Sequence, residues 1–234
     1  MSARVLVGMS GGVDSSVAAA LLIEQGFDVV GAYMKNWTLD IPGSRCAWAD
    51  DLAFAKRTAV KLDIDFHVYD FQEAYKHDVV DYLVAEYRAG RTPNPDIMCN
   101  QDVKFGAFLD AAEAEAFDFI ATGHYARTNW TCDCNNDINR LLLRAADEHK
   151  DQTYFLYRMT QRAVNRTLFP IGHLQKPQVR EIAERLGLPS AEKPDSQGIC
   201  FIGEAGIRDF LRMYVDLQPG EIVDAETDKV LGYH

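Results

Sequence analysis

A glycine-rich turn near the start of the chain most constrains its fold. The apolar run Val5-Leu6-Val7 leads directly into Gly8-Met9-Ser10-Gly11-Gly12-Val13-Asp14-Ser15-Ser16. This order predicts a strand, a tight loop and the first turn of a helix, so backbone N–H groups and a helix N-terminus face one anion pocket. Gly11 and Gly12 let the main chain approach phosphate oxygens closely, and the serine hydroxyls add donors. The sequence therefore predicts a phosphate-binding site after the first strand.

The composition of this loop narrows the class of nucleotide chemistry. An ordinary P-loop carries a lysine that reaches the β- and γ-phosphates, and residues 8–16 contain no lysine. The loop instead resembles the S-G-G-x-D-S loop of the ATP pyrophosphatases, the PP-loop enzymes, which adenylate a substrate and release pyrophosphate. A generic Gly/Ser turn is the alternative interpretation, and the strand–loop–helix context disfavours it.

Short apolar runs alternate with amphipathic stretches along the chain, a pattern that indicates βαβ units. We expect strands near residues 4–7, 29–34, 66–71 and 118–122, with helices between them. A hairpin is expected between strands near residues 125–128 and 141–145, and a helix is expected to start at Pro177 and end at Gly187. The predicted fold class is α/β: a Rossmann-like parallel sheet of the PP-loop ATP pyrophosphatase (adenine nucleotide alpha hydrolase-like) type.

The pattern changes after Gly203. A short helix over residues 207–214 is followed by Pro219-Gly220 and by two strand-like runs at 221–223 and 229–231. We expect residues 1–203 to form the catalytic domain and residues 204–234 to begin a second small module, a helix plus a hairpin.

Charge and composition bear on partners and compartment. The net charge of −11 argues against a nucleic-acid partner, because phosphate-binding surfaces are usually basic. Local clusters of basic residues weaken that argument: Arg88, Arg91, Lys150, Arg158, Arg162 and Arg166. Arg162 and Arg166, one helical turn apart, fit either a solvated face or contacts with an RNA backbone. Without a secretory segment or an apolar run of membrane-spanning length, we expect a soluble cytoplasmic protein, or a mitochondrial one if the source is eukaryotic.

Two of the five cysteines stand in contexts typical of reactive thiols. Cys99 follows Pro93-Asn94-Pro95-Asp96, and we expect it to open a helix whose dipole stabilises its thiolate. Cys200 lies in a loop punctuated by glycines at 198 and 203. Each could instead be a small buried apolar residue, and an iron–sulfur or metal centre that uses both thiols stays open. Cys132 and Cys134 match no common zinc spacing, and Cys46 is expected to be structural.

Strings along the whole chain resemble one family, the tRNA-specific 2-thiouridylases of bacteria and mitochondria. In family order they are residues 8–17, 34–37, 90–100, 104–105, 121–125, 150–156, 168–170, 176–180 and 198–203. They include Met34-Lys35-Asn36-Trp37 and Lys150-Asp151-Gln152. The resemblance implies that relatives continue into a C-terminal β-barrel that these 234 residues lack. We therefore expect normal ATP binding, weak tRNA binding and slow or absent thiolation.

The resemblance also implies roles for particular residues. ATP would be held by Gly8, Met9, Ser10, Gly11, Gly12, Val13, Asp14, Ser15, Met34 and Gly123. The target uracil would meet Asn94, Pro95 and Asp96, while tRNA would contact His124, Lys150, Asp151 and Gln152. Cys99 would be the nucleophile and Cys200 the persulfide carrier, with Asp14 as a third catalytic residue; no resident metal is implied.

The implied activity is ATP-dependent 2-thiolation of the wobble uridine of tRNA. The uracil C2 oxygen would attack the α-phosphate of Mg²⁺-ATP and release pyrophosphate. Sulfur would come from a persulfide on Cys200, which could attack C2 itself or be cleaved by Cys99 to release sulfide in place. Either way the two thiols could end as a disulfide. The implied partners are tRNA, whose target base must leave its stack, and an upstream persulfide donor protein. Two alternatives remain: another PP-loop enzyme such as an ammonia-using synthetase, and a noncatalytic ATP- or tRNA-binding module.

Overall fold

A parallel sheet organises the molecule, whose computed structural model describes residues 2–38, 48–132, 138–195, 207–216 and 219–234. The strands are β1 (Arg4–Gly8), β2 (Asp28–Lys35), β3 (Phe66–Asp70), β4 (Phe119–Ala121), β5 (Ala126–Cys132), β6 (Ile138–Arg144), β7 (Thr167–Leu168), β8 (Glu221–Val223) and β9 (Val230–Tyr233). Five of them form one sheet in the order β3-β2-β1-β4-β7, and every pairing in it is parallel. The predicted α/β fold class is confirmed.

Helices connect these strands. They are α1 (Val13–Glu24), α2 (Trp48–Leu62), α3 (Gln72–Tyr75), α4 (Tyr82–Arg88), α5 (Pro95–Met98), α6 (Phe108–Ala114), α7 (Gln161–Asn165), α8 (Lys176–Arg185) and α9 (Ile207–Leu211). Wider π-helical turns join α3 to α4 (Lys76–Asp81) and α5 to α6 (Cys99–Ala107), and a 3-10 helix spans Thr153–Leu156. No helix in the described ranges combines the length and apolar character needed to cross a bilayer.

The central strand is buried on both faces, as a parallel sheet covered by helices requires. Val5, Leu6 and Val7 are fully buried. Leu6 packs in one apolar cluster with Phe105 and Phe108, whereas Val5 and Val7 pack in another. The chain runs from β1 to β2 on one side, while β4 pairs with the other side of β1. Ligand crevices in open α/β sheets lie where the strand order reverses in this way, so the site is expected at the carboxyl ends of β1 and β4.

The predicted element boundaries need one correction that bears on function. Cys99 does not open its helix, because α5 already begins at Pro95 with Asn94 as its N-cap. The Asn94 side chain accepts a hydrogen bond from Asp96 N at 3.1 Å, and the Cys99 N–H is bonded to carbonyls of the preceding turn. Its amide is therefore no longer available to stabilise a thiolate, and the prediction of a helix-opening cysteine is wrong.

The last described segments divide into a buried helix and an exposed hairpin. Phe210 and Leu211 of α9 are buried in a cluster with Tyr75, Val79 and Cys99, so α9 packs on the same core as the PP-loop domain. Strands β8 and β9 pair antiparallel, with their apolar side chains largely exposed. The division into units 1–203 and 204–234 stays a proposal.

Candidate active site

The loop after β1 is built as a phosphate cradle. Ser10 N donates to Ser15 Oγ at 3.2 Å, and Gly12 N donates to Ser10 Oγ at 3.4 Å. Gly12 is the N-cap of α1 and provides no side-chain cap. The first N–H groups of α1 thus face the loop, as an anion site at a helix N-terminus requires.

Two glycines allow the close approaches that shape this cradle. Gly11 has φ +76°, and a Cβ there would lie 2.2 Å from the Asp51 carbonyl oxygen at the start of α2. A Cβ on Gly123, which follows β4, would lie 2.6 Å from Ser15 N. Any side chain at these positions would push α2 or the loop after β4 away from the PP-loop.

A cavity of about 560 Å³ opens between the loops that follow β1 and β4, within the size range of small-molecule sites. The predicted ATP residues that line it are Gly8, Ser10, Gly12, Val13, Asp14, Ser15, Met34 and Gly123. The predicted RNA residues that line it are Asp96, His124, Lys150 and Gln152. The structure thus brings both predicted groups to one cavity.

The remaining predicted ATP and RNA residues lie behind this lining. Met9 is buried in the sheet core, and Gly11 packs against α2. Asn94 and Pro95 form the start of α5. Asp151 accepts hydrogen bonds from Ala145 N and Thr153 N, both at 3.2 Å. These residues therefore support the walls of the cavity.

A charged network spans one wall. Asp14 Oδ1 accepts hydrogen bonds from the Tyr125 hydroxyl and from Lys176 Nζ, both at 2.8 Å. Lys176 Nζ also lies 2.8 Å from Asp195 Oδ1, which Arg180 approaches to 2.7 Å, while Lys150 Nζ lies 3.0 Å from Asp195 Oδ2. Burial alone would raise the pKa of Asp195, but hydrogen bonds from Lys176 and Lys150 outweigh it and lower this pKa to about 2. Asp195 is therefore an anion at neutral pH.

Two other lining groups, His124 and Asp96, have pKa values shifted toward the neutral form. Desolvation, with a smaller effect of Lys104, lowers the pKa of the partly buried His124 well below its usual value. His124 Nδ1 lies 2.8 Å from Thr122 Oγ1, and its ring contacts Phe105 and Phe169. Burial also raises the pKa of Asp96, and Lys104 opposes that rise. At neutral pH His124 is an uncharged imidazole.

Asn100 adds a buried polar group to the lining. Its Nδ2 donates to the Phe155 carbonyl oxygen at 3.1 Å, which fixes the orientation of the amide. Its Oδ1 is sealed from solvent and accepts no hydrogen bond from the described residues. Buried acceptors normally have a partner, so this oxygen is an unsatisfied polar atom next to the cavity.

The described residues include only one of the two predicted reactive thiols. Cys99 is 2% exposed and packs among Tyr75, Val103 and Phe210 rather than in the cavity lining. Cys200, Cys46 and Cys134 lie outside the described residues, as does the side chain of Cys132. Within the described ranges no group of three or more His, Cys, Asp or Glu residues could hold a metal. The iron–sulfur alternative is therefore untested.

Arg162 and Arg166 are both paired with acidic side chains. Arg162 Nη2 lies 2.6 Å from Asp110 Oδ1 and 2.5 Å from Glu113 Oε2, and Arg166 Nε lies 3.7 Å from Glu113 Oε1.

The structure also adds site residues that the sequence did not single out. They are Asn100, Thr122, Tyr125, Phe155, Lys176, Arg180, Pro194 and Asp195. A lysine directly before the helix-opening Pro177 was the available signal for Lys176, because a cation at a helix N-terminus is unfavourable unless an anion compensates for it.

Comparison with known proteins decides the family. The family model described as the tRNA methyl transferase HUP domain matches residues 3–204. The chain belongs to this family. A protein named tRNA-specific 2-thiouridylase MnmA from Akkermansia muciniphila is 53% identical over 234 residues, which are 99% of this chain and 64% of that protein. A protein of the same name from Acinetobacter baumannii is 52% identical over 235 residues, which are 100% of this chain and 62% of that protein.

The predicted resemblance to the tRNA-specific 2-thiouridylases is confirmed, although the chain spans only 62–64% of the length of these relatives. Solved structures support the fold. A 4-thiouridine synthetase–RNA complex with bound ATP has a TM-score of 0.56 at 14% identity and covers 91% of this chain and 50% of that chain. NMN synthetase from Francisella tularensis has a TM-score of 0.51 at 18% identity, and the match covers 87% of this chain and 68% of that chain.

Proposed function

We propose that the protein thiolates C2 of the wobble uridine of tRNA at the expense of ATP. One observation carries this proposal: the PP-loop and Asp96, one of the three residues expected to meet a uracil, line the same cavity. The 50–53% identity to proteins named tRNA-specific 2-thiouridylase supports this choice of substrate. A tRNA base could then reach the α-phosphate of ATP without a second binding site.

The first chemical step uses the cradle. The phosphates of ATP bind at the N-terminus of α1, and Gly123 allows the loop after β4 to pack directly on the PP-loop. The uracil C2 oxygen attacks the α-phosphorus, the bond to the β-phosphate breaks, and the N3 proton leaves. Mg²⁺ that enters with ATP neutralises phosphate charge, and Asp14 is the carboxylate beside the PP-loop that could hold it. Its hydrogen bonds with Lys176 and Tyr125 orient this carboxylate.

The second step delivers sulfur. A persulfide on Cys200 attacks C2, the C2–O bond breaks and AMP leaves. Cys99 attacks the inner sulfur, which breaks the S–S bond and leaves a Cys99–Cys200 disulfide for an external dithiol to reduce. Cys99 is buried in one cluster with Phe210 and Leu211, so this step requires that its thiol become accessible.

The product provides the test. The protein is incubated with ATP, a persulfide donor and an anticodon stem-loop RNA, and the RNA is digested for nucleoside mass spectrometry. We expect slow formation of 2-thiouridine with the wild type and with the Cys132→Ser control, and none with Cys99→Ser, with Cys200→Ser or without ATP. Formation of 2-thiouridine by Cys99→Ser at the wild-type rate would contradict the assigned roles.

A further inference from the structure

A short helix beside the cavity exposes two large aromatic side chains. The 3-10 helix Thr153–Leu156 continues into Tyr157, and both Tyr154 and Tyr157 are 64% exposed. Residues three apart in such a helix eclipse one another, so both rings leave on the same side. Leu156, between them in sequence, is buried in the core and anchors the helix.

These two rings continue the aromatic wall of the cavity. Phe155 lines the cavity, and its ring centroid lies 5.3 Å from that of Tyr154 in an edge-to-face arrangement. The Tyr154 and Tyr157 centroids lie 6.3 Å apart with planes 32° from parallel. An aromatic path therefore runs from the cavity wall to the outer surface.

Positive charge flanks the path on an otherwise acidic protein. Lys150 lines the cavity with its side chain 42% exposed. The exposed Arg158 contacts Met98 Sδ at 3.7 Å, and no carboxylate of the described residues lies within ion-pair distance of it. Arg91 and Arg162, in contrast, are paired with acidic side chains. Lys150 is also paired, with Asp195, so Arg158 is the flanking cation without a carboxylate partner among the described residues. Flat rings beside such a cation match the two features that single-stranded RNA uses, its bases and its phosphates.

Local hydrogen bonds hold the platform in place. Asp151 accepts from both Thr153 N and Thr153 Oγ1 at the start of the helix, and Asn100 Nδ2 donates to the Phe155 carbonyl oxygen. Little conformational entropy would therefore be lost when a base stacks on the rings.

We propose that Tyr154 and Tyr157 form a stacking platform for the unpaired bases that flank the target uridine. The proposal rests on the proposed function, because a uridine that enters the cavity leaves its neighbours at the cavity mouth. The ligand is thus single-stranded RNA, held through base faces and without sequence-specific contacts from these two side chains.

Fluorescence of 2-aminopurine tests the platform, because stacking on an aromatic ring quenches it. The probe replaces the base next to the wobble uridine in an anticodon stem-loop RNA. We compare the wild type with Tyr154→Ala/Tyr157→Ala, with the stacking-competent Tyr154→Phe/Tyr157→Phe, and with Tyr233→Ala, a control at another exposed tyrosine. Circular dichroism verifies folding, and ATP affinity is measured in parallel.

The Ala pair should weaken RNA binding by roughly 5- to 150-fold, the effect expected for loss of one stacked base, and should abolish the quench. The Phe pair and Tyr233→Ala should retain both the affinity and the quench, and ATP affinity should not change. Wild-type RNA affinity and quenching in the Ala pair would overturn the platform while leaving the proposed function intact. Dissociation of a dimer by the Ala pair, with RNA binding unchanged, would assign the surface to protein contact and also overturn it. Absence of ATP-dependent thiolation by the wild type would count against the proposed function.

Discussion

Asp195 provides the sharpest test of the charged wall, because one carboxylate contacts three cations. Lys176, Arg180 and Lys150 lie 2.7 to 3.0 Å from its oxygens. The substitution Asp195→Asn keeps the shape of the side chain and removes the charge, so three cations lose their shared anion. We expect lower stability together with tighter ATP binding, since an anion that lines the cavity no longer repels the phosphates.

The pKa of Asp195 sets the size of the stability loss. Its value falls from 3.8 to about 2, and each unit corresponds to about 1.4 kcal/mol. The side chain is 26% exposed, which reduces the loss expected at pH 7 to about 1–2 kcal/mol. Because the pKa of the folded state is the lower one, this stability is complete above about pH 4 and is lost as the pH falls through about 2; about half remains at pH 3.

Urea unfolding at pH 7 and pH 3 measures this effect. The matched control is Asp81→Asn, which breaks an exposed pair with Lys76 and should cost less than about 1 kcal/mol at either pH. ATP affinity of both variants is measured by calorimetry. Equal stability of Asp195→Asn and wild type at pH 7, or a difference that does not narrow at pH 3, would refute the network, and weaker ATP binding would refute the assigned position of the phosphates.

Three other predictions follow from packing and burial. Gly11→Ala should abolish ATP binding, because its Cβ would lie 2.2 Å from a backbone oxygen of α2. The control is Gly26→Ala, where φ is +85° and the surrounding space is open. It should lower the free energy of unfolding by only about 1–2 kcal/mol and retain ATP binding. Burial keeps His124 neutral, so stability should fall as the pH drops below about 6.5, and His124→Gln should lose part of that dependence in unfolding measured at pH 7 and pH 5. Cys99 should react slowly with iodoacetamide in peptide-mapping mass spectrometry and faster in Phe210→Ala; equal rates would show that α9 does not shield the thiol.

The fold was predictable where periodicity extends over several residues. The alternation of apolar runs predicts four of the five sheet strands and the order of the helices. Strand β7 is only two residues long, which is too short to show any hydrophobic periodicity. The start of α5 was available in the sequence, since Asn94 before Pro95 is a preferred N-cap followed by a preferred first residue. The π-helical turns carry no comparable signal.

The site was predictable only in its local parts. The PP-loop is a single string, and the structure shows its cradle directly. The contact between Asp14 and Lys176 joins residues 162 positions apart, so no local pattern could reveal that these charges neutralise each other. The packing of α9 near Cys99 is likewise a tertiary contact. The residues next to Cys99 in the sequence do not indicate that Phe210, more than 100 positions away, is buried in the same cluster.

The products of ATP cleavage test the central claim most directly. The protein is incubated with tRNA and ATP labelled at the α-phosphate, and the products are separated by thin-layer chromatography while pyrophosphate and orthophosphate are measured enzymatically. A PP-loop that lacks the P-loop lysine and adenylates uracil should yield tRNA-dependent AMP and pyrophosphate, one of each per turnover. Formation of ADP and orthophosphate would contradict the account.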